Sequence, residues 1–262
     1  MKTYRTITRK IRFALTAFIL LISLQNMNAQ QLLTANFNFT GELKSYGWSS
    51  LYTNGNINPI KTVSPGLTYT NYVLSNIGNA AKIDSTGQDL KMSFGWAFPQ
   101  NKITYTAFML NVNKATLIGD YFFTYTTSNP IEELKTKVYI KSAGANFYKI
   151  GIAKNNETPV YGIDSFDLNT TSLVVLKYES VSGNDNDVVS LFNFKTGFPT
   201  SEPMPLLQIN SGTDNDLLKL SGVALIQGND SIAPKLIIDG IRSTNDWSEL
   251  NKPTKLQLLS LF

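Results

Sequence analysis

Past residue 30 the apolar residues come in short runs that are β-branched or aromatic and bounded by Gly, Asn, Asp, Ser or Pro. That is the pattern of strands joined by turns. No run keeps helical periodicity for more than a few residues. The spacing predicts thirteen strands, near residues 32–39, 47–52, 67–70, 80–83, 90–98, 103–112, 120–127, 135–142, 147–153, 172–181, 187–194, 218–227 and 235–242. In the stretch from Ile103 to Met109 the odd positions can face a core while Thr104 and Thr106 face water. Val188, Val189, Leu191 and Phe192 are apolar on both faces, as in a strand at the centre of a two-layer stack. The expected fold is therefore all-β, a two-layer antiparallel sandwich. A single domain is expected, because all-β domains reach about 200–250 residues and no Pro- or Ser-rich linker interrupts the chain. The segment Thr196 to Pro205, with three prolines, reads as a long loop.

The first thirty residues read differently. Five basic residues and no acidic one occupy positions 1–12, an apolar run of twelve residues follows from Phe13 to Leu24, and Ala29 offers a small residue for cleavage. These are the three parts of a secretory signal. A bilayer span needs about 20 apolar residues, so a retained anchor is disfavoured. Residues 1–29 are thus expected to be a signal peptide cut after Ala29, residues 30–247 the sandwich, and residues 248–262 a C-terminal tail or extra strand. The expected location is secreted or at the cell surface, with no membrane span once the signal is removed.

Export changes the charge argument. The chain has 23 basic and 19 acidic residues, and loss of the five basic residues of the leader leaves 18 against the same 19. The mature protein is close to neutral and has no basic excess of the kind that nucleic acid requires. Both Cys and His are absent. No disulfide supports the fold, and every nucleophile arrangement built on Ser-His or Cys-His is excluded.

Phrases along the whole mature chain resemble the jelly-roll domain of the concanavalin A-like lectin and glucanase superfamily, in the laminin G-like form found in secreted and cell-surface bacterial proteins. They include Gly47-Trp48, Gly66-Leu67-Thr68-Tyr69 with Tyr72, Ile77 to Ala81, Gly119 to Phe122, Val138 to Lys141, Leu173 to Tyr178, Val223 to Gly228, and Ile237 to Arg242 with Trp247. The resemblance implies a jelly roll that binds carbohydrate. Glucanases of that superfamily carry Glu, Asp and Glu on one face of a strand, at the separation a retaining mechanism requires. None of the seven Glu residues here sits in such a pattern, so no catalytic residue is expected.

Binding candidates remain. Tyr46, Tyr52 and Tyr72 have Asn and Ser neighbours and are expected to be exposed in loops. Trp48 and Trp96 read as core residues. Asp185 with Asp187, and Asp214 with Asp216, pair carboxylates two residues apart beside Asn, a donor type that suits Ca²⁺ as well as plain turns. Domains of the resembled kind sometimes hold Ca²⁺ at a sandwich rim; no other cofactor is expected. Asp84-Ser85-Thr86 and Asp230-Ser231-Ile232 resemble an O-glycosylation sequon, with Ser85 and Ser231 the acceptors. The leading functional expectation is a non-catalytic module recognising a polysaccharide or surface glycoprotein. The alternatives are a structural or adhesive envelope module without a small ligand and, behind it, a glycan-active enzyme whose carboxylates meet only in the fold.

Overall fold

The computed structural model describes residues 31–52, 57–94, 103–127, 133–210, 212 and 219–253. The leader with Ala29, and Trp96, Asp214 and Asp216, lie outside the described residues. The described strands are β1 (Gln31–Ala35), β2 (Ser49–Ser50), β3 (Lys61–Val63), β4 (Ala80–Ile83), β5 (Leu90–Ser93), β6 (Ile103–Lys114), β7 (Asp120–Thr127) and β8 (Leu134–Ser142). They continue as β9 (Phe147–Lys154), β10 (Val160–Tyr161), β11 (Phe166–Asp167), β12 (Thr171–Glu179), β13 (Val188–Phe194), β14 (Leu207–Ile209), β15 (Leu220–Leu225) and β16 (Lys235–Thr244). Among the described residues no helix is long and apolar enough to cross a membrane.

The strands form two antiparallel sheets packed as a sandwich. Sheet A runs β14-β13-β12-β6-β16-β4-β3, with β1 also on β16, and sheet B runs β10-β9-β8-β7-β15-β5-β2, with β11 also on β9. Side chains alternate between the two faces of each strand, and the inward sets interdigitate. Phe108, Leu110, Val112, Val174, Leu176 and Ile238 from sheet A meet Phe122, Phe123, Tyr125, Val138, Ile150 and Leu225 from sheet B in one core. Trp48 is buried there, stacked on Phe37 with ring centroids 6.2 Å apart.

Strand β6 corrects one sequence expectation. Thr104 and Thr106 are buried, not solvent-facing. Thr106 Oγ1 lies 2.7 Å from Ser243 Oγ and accepts from the Tyr125 hydroxyl at 2.9 Å, so this even position of β6 points into the sandwich and its hydroxyl is satisfied there. The odd positions Tyr105, Ala107 and Met109 face outward and are buried too, in a second cluster with Tyr69, Tyr72, Leu74, Leu173, Val175, Phe192, Trp247 and Leu250.

A strap produces that second cluster. Residues 67–70, expected as a strand, instead form part of a turn-rich segment laid over sheet A. Asn71 and Asn76 sit at φ 62° and 58°, a backbone region that Asn tolerates better than most residues. Leu67 N–H donates to Asp239 Oδ2 at 2.8 Å, the Tyr72 hydroxyl donates to Gly240 O at 2.8 Å, and Val73 N–H donates to Asn251 Oδ1 at 2.7 Å. The loop 196–205 crosses the same face. Glu202 accepts from the Tyr105 hydroxyl at 2.5 Å and from Lys177 Nζ at 3.0 Å, and the Trp247 indole N–H donates to Pro199 O at 3.0 Å.

Residues after 247 belong to the fold up to the last described one. Leu250 is fully buried, and Lys252 O accepts from Arg242 Nη1 at 2.6 Å. The segment expected as a tail or extra strand from residue 248 thus touches β16 within its described part. Strands β3, β10, β11 and β14 were not legible as apolar runs; all are two or three residues long at sheet edges.

Candidate functional site

Sheet B carries a smaller cluster on its outer face, where Leu51, Ala224 and Ile226 are buried beside Tyr121 and Leu134, and register decides what the half-buried remainder of that face displays. Tyr121 on β7 pairs with Tyr139 on β8, Tyr139 with Gly151 on β9, and Gly151 with Tyr161 on β10. All four are therefore at one level across four adjacent strands. Their neighbours Phe122, Val138, Ile140, Ile150 and Ile152 point into the core, so the tyrosines point away from it.

The rings touch in sequence. Tyr121 and Tyr139 have centroids 5.6 Å apart, and Tyr139 and Tyr161 are 6.5 Å apart with ring planes at 73°. Gly151 makes the row possible. A Cβ there would lie 2.6 Å from Tyr161 Cδ1 and 2.8 Å from Val160 O, so the Tyr161 ring lies over the backbone where a side chain would otherwise stand. Lysines interleave with the rings. Lys141 Nζ stands 4.1 Å from the Tyr161 centroid and Lys137 Nζ 4.9 Å from that of Tyr121, both within cation–π range.

At the Tyr121 end the row opens into a cleft of about 360 Å³ lined by Tyr52, Tyr121, Glu133, Leu134, Lys137, Asn155 and Asn156. That volume suits one or two sugar-sized groups. Lys137 donates to Asn156 Oδ1 at 2.8 Å. Burial holds the Lys137 ammonium below its usual range, and Asp120 opposes that shift. Burial also pushes the hydroxyls of Tyr139 and Tyr161 up to about 12, and that of Tyr121 higher still. The row is thus a set of protonated hydroxyls near neutral pH, able both to donate and to accept hydrogen bonds.

Two carboxyls, Asp120 and Asp89, act on the Tyr121 hydroxyl from nearby. Asp120 accepts from Tyr121 N–H at 2.8 Å, and a Cβ at Gly228 would fall 2.2 Å from its Oδ2. Asp89 accepts from Gln227 N–H at 2.7 Å, and its carboxyl is pushed up to about 6, chiefly by burial. Both are engaged by backbone.

The residues expected from sequence distribute unevenly. Tyr52 is 48% exposed and lines the cleft. Tyr46 is 47% exposed but stacks flat on Phe39, centroids 3.7 Å apart, and is not one of the cleft residues. Tyr72 is not exposed: at 4% accessibility it is part of the strap's apolar underside. Ser85 is 2% exposed and donates to Asp230 Oδ1, so its hydroxyl does not face an attaching enzyme, whereas Ser231 is exposed and bonds Asn229 Oδ1 at 2.6 Å.

Asp187 is fully buried, accepting from the Tyr178 hydroxyl and from Val181 N–H at 2.7 Å, while Asp185 is exposed at φ 61°. The pair is separated by burial and builds a turn. Among the described residues no group of three or more acidic side chains could hold a metal ion.

Tyr121, Tyr139 and Tyr161 escaped the sequence reading, although one signal was present. In Lys137-Val138-Tyr139-Ile140-Lys141 the apolar residues alternate with Lys, Tyr and Lys, which puts a charged aromatic stripe on the solvent side of a strand.

No family model and no curated protein matches this sequence. Among solved structures, the chain is similar to the T. cruzi calreticulin globular domain, at 11% identity and a TM-score of 0.48 over 84% of this chain and 90% of that one. The CBM2 module of Lactobacillus casei BL23 phage J-1 evolved Dit aligns at 12% identity and a TM-score of 0.45, over 83% and 96% of the two chains. Domain 4 of AbnA, a GH43 extracellular arabinanase from Geobacillus stearothermophilus solved with arabinotriose, aligns at 13% identity and a TM-score of 0.43, over 86% and 100%.

Proposed function

We propose that this chain is an exported, non-catalytic domain that binds a polysaccharide or surface glycan along the outer face of sheet B. The observation that carries the reading is the row of Tyr121, Tyr139 and Tyr161 at one level on β7, β8 and β10, continued by Tyr52 into a cleft. Tyrosine suits this task because it has an apolar ring for the hydrogen-bearing faces of a sugar and a hydroxyl for the sugar's own. Neighbouring strands lie about 4.8 Å apart, so the row is long enough for an oligosaccharide and not only a single residue. The carboxyls at its end, Asp89 and Asp120, accept backbone N–H groups, which supports holding over cleaving. Export rests on the leader.

Titration calorimetry against a panel of soluble plant, algal and bacterial polysaccharides tests the reading. Tyr139→Ala and Tyr161→Ala are expected to weaken binding about tenfold or more each, from the loss of one aromatic contact of up to about 1.5 kcal/mol together with its hydroxyl bonds. Tyr46→Ala, off the row, is expected to leave binding unchanged. Equal loss in all three variants, or unaltered binding in the first two, would overturn it.

A further inference from the structure

We propose that the glycan taken by this face is acidic, a uronate- or sulfate-bearing chain, with Lys141 and Lys149 meeting its negative groups beside the tyrosine row. This rests on the glycan-binding reading above and narrows it to a charge class.

The first ground is an electrostatic cost within the sheet. Lys141 on β8 and Lys149 on β9 are direct cross-strand partners. Both point outward, because Ile140, Tyr148 and Ile150 on either side of them point into the core. Directly opposed positions bring Cβ atoms to within about 5.5 Å, and like charges so placed repel. Neither lysine has a carboxylate within ion-pair distance among the described residues, although Lys61, Lys82, Lys177, Lys235 and Lys252 all do. A bound anion would relieve that repulsion; a neutral sugar would not.

The second ground is placement. Lys141 Nζ stands over the Tyr161 ring, whose atoms also lie against Gly151. The ammonium is thereby held beside the surface on which a sugar ring would stack, one level along the strand from Tyr139. A carboxylate or sulfate on a pyranose resting at Tyr139 meets a cation already in position, so less freedom is lost when the contact forms. Lys137, one level to the other side of Tyr139, repeats the arrangement over Tyr121. Asp120 on β7, opposite Ile140, turns Oδ1 to the Tyr121 N–H, and Asp167 on β11 pairs with Phe147, one level from Lys149; neither forms an ion pair with Lys141 or Lys149. Among the described residues the Lys141–Lys149 pair is thus left without a neutralising ion pair, beside the rings of the row.

The test uses polysaccharides that differ in charge alone: polygalacturonate against its full methyl ester, alginate against its carboxyl-reduced form, and chondroitin sulfate against its desulfated, carboxyl-reduced form. Binding of the full mature chain is followed by calorimetry at low and moderate salt. The expected result is retention of at least one acidic form, affinity lower by about tenfold or more for its neutral partner, and a decline in affinity with salt. Lys141→Gln is expected to reduce binding of the acidic form to the level of the neutral one. Lys141→Arg is expected to retain most of it, and Lys44→Gln all of it.

Equal affinity for an acidic form and its neutral partner would overturn the charge assignment and leave the glycan reading standing. Retention of no member of any pair would overturn both. A Lys141→Gln variant that binds the acidic chain as well as the unaltered protein does would remove this end of the row as its site.

Discussion

Replacing Asp239 by Asn tests what holds the strap over sheet A. The Asp239 carboxyl is fully buried and accepts two backbone N–H groups, Leu67 at 2.8 Å from the strap and Gly240 at 2.6 Å within β16. An amide has a single acceptor oxygen, so Asp239→Asn leaves one N–H facing an NH₂ group. An unsatisfied buried donor costs about 1–3 kcal/mol. In a domain of this size each kcal/mol lowers the Tm by about 2–4 °C, so a fall of about 6 °C is expected at pH 5.

The gap should depend on pH. Burial, opposed by those two N–H bonds, pushes the Asp239 carboxyl from its ordinary 3.8 up to about 7. A raised carboxyl pKa means the folded state keeps its proton where the unfolded chain has lost it. The contribution to stability is therefore complete below about pH 4 and declines as pH rises through 7. Three pH units at 1.36 kcal/mol each put the decline at about 4 kcal/mol, and the Asn variant lacks it. The two stabilities should converge or cross between pH 5 and 8; Asp89, present in both proteins, cancels in the difference. Urea denaturation followed by tryptophan fluorescence at the two pH values measures this, since Trp247 lies in the cluster beneath the strap. A difference that is independent of pH, or an unaltered protein that gains on the variant as pH rises, would refute the assignment of Asp239 as a buried, desolvated clamp.

Three further outcomes are expected. Gly151→Ala should cost about 1–3 kcal/mol, since the new methyl meets the Val160 carbonyl as well as the Tyr161 ring. It should also weaken glycan binding as much as Tyr161→Ala does, because the new methyl displaces that ring; calorimetry on both variants decides. Trp247→Ala removes a buried ring that contacts Tyr105, Phe192, Phe194 and Phe198 and should cost about 3–5 kcal/mol in urea denaturation. Chelator should leave the melting temperature unchanged, since the Asp187 carboxylate is already engaged by Tyr178 and Val181; a fall in Tm would show a structural ion.

Sequence periodicity alone carried the all-β class, the antiparallel two-sheet packing and most of the long strands, because alternation is a local property that survives whatever the strands later pair with. It also placed Trp48 in the core. What it assigned wrongly were faces and exposures. Thr104 and Thr106 look solvent-facing beside Tyr105 and Ala107, yet both sides of β6 are covered, one by sheet B and the other by a strap that departs from β16 by more than a hundred positions in the chain. Tyr72, surrounded by Asn and Ser, looks like a loop tip and is an anchor, since its hydroxyl reaches Gly240.

The candidate site was half legible. The Lys-Tyr-Lys stripe of β8 is written in consecutive residues, but its continuation into Tyr121, Gly151 and Tyr161 is a matter of register, set by pairing between strands and by the bulge that follows Tyr121 on β7. Shifting a strand by one residue would send each of those side chains to the opposite face. Local alternation could thus declare that a tyrosine lies on a strand; only the packed sheets could decide that four positions far apart in the chain stand in one row on the outer face of sheet B.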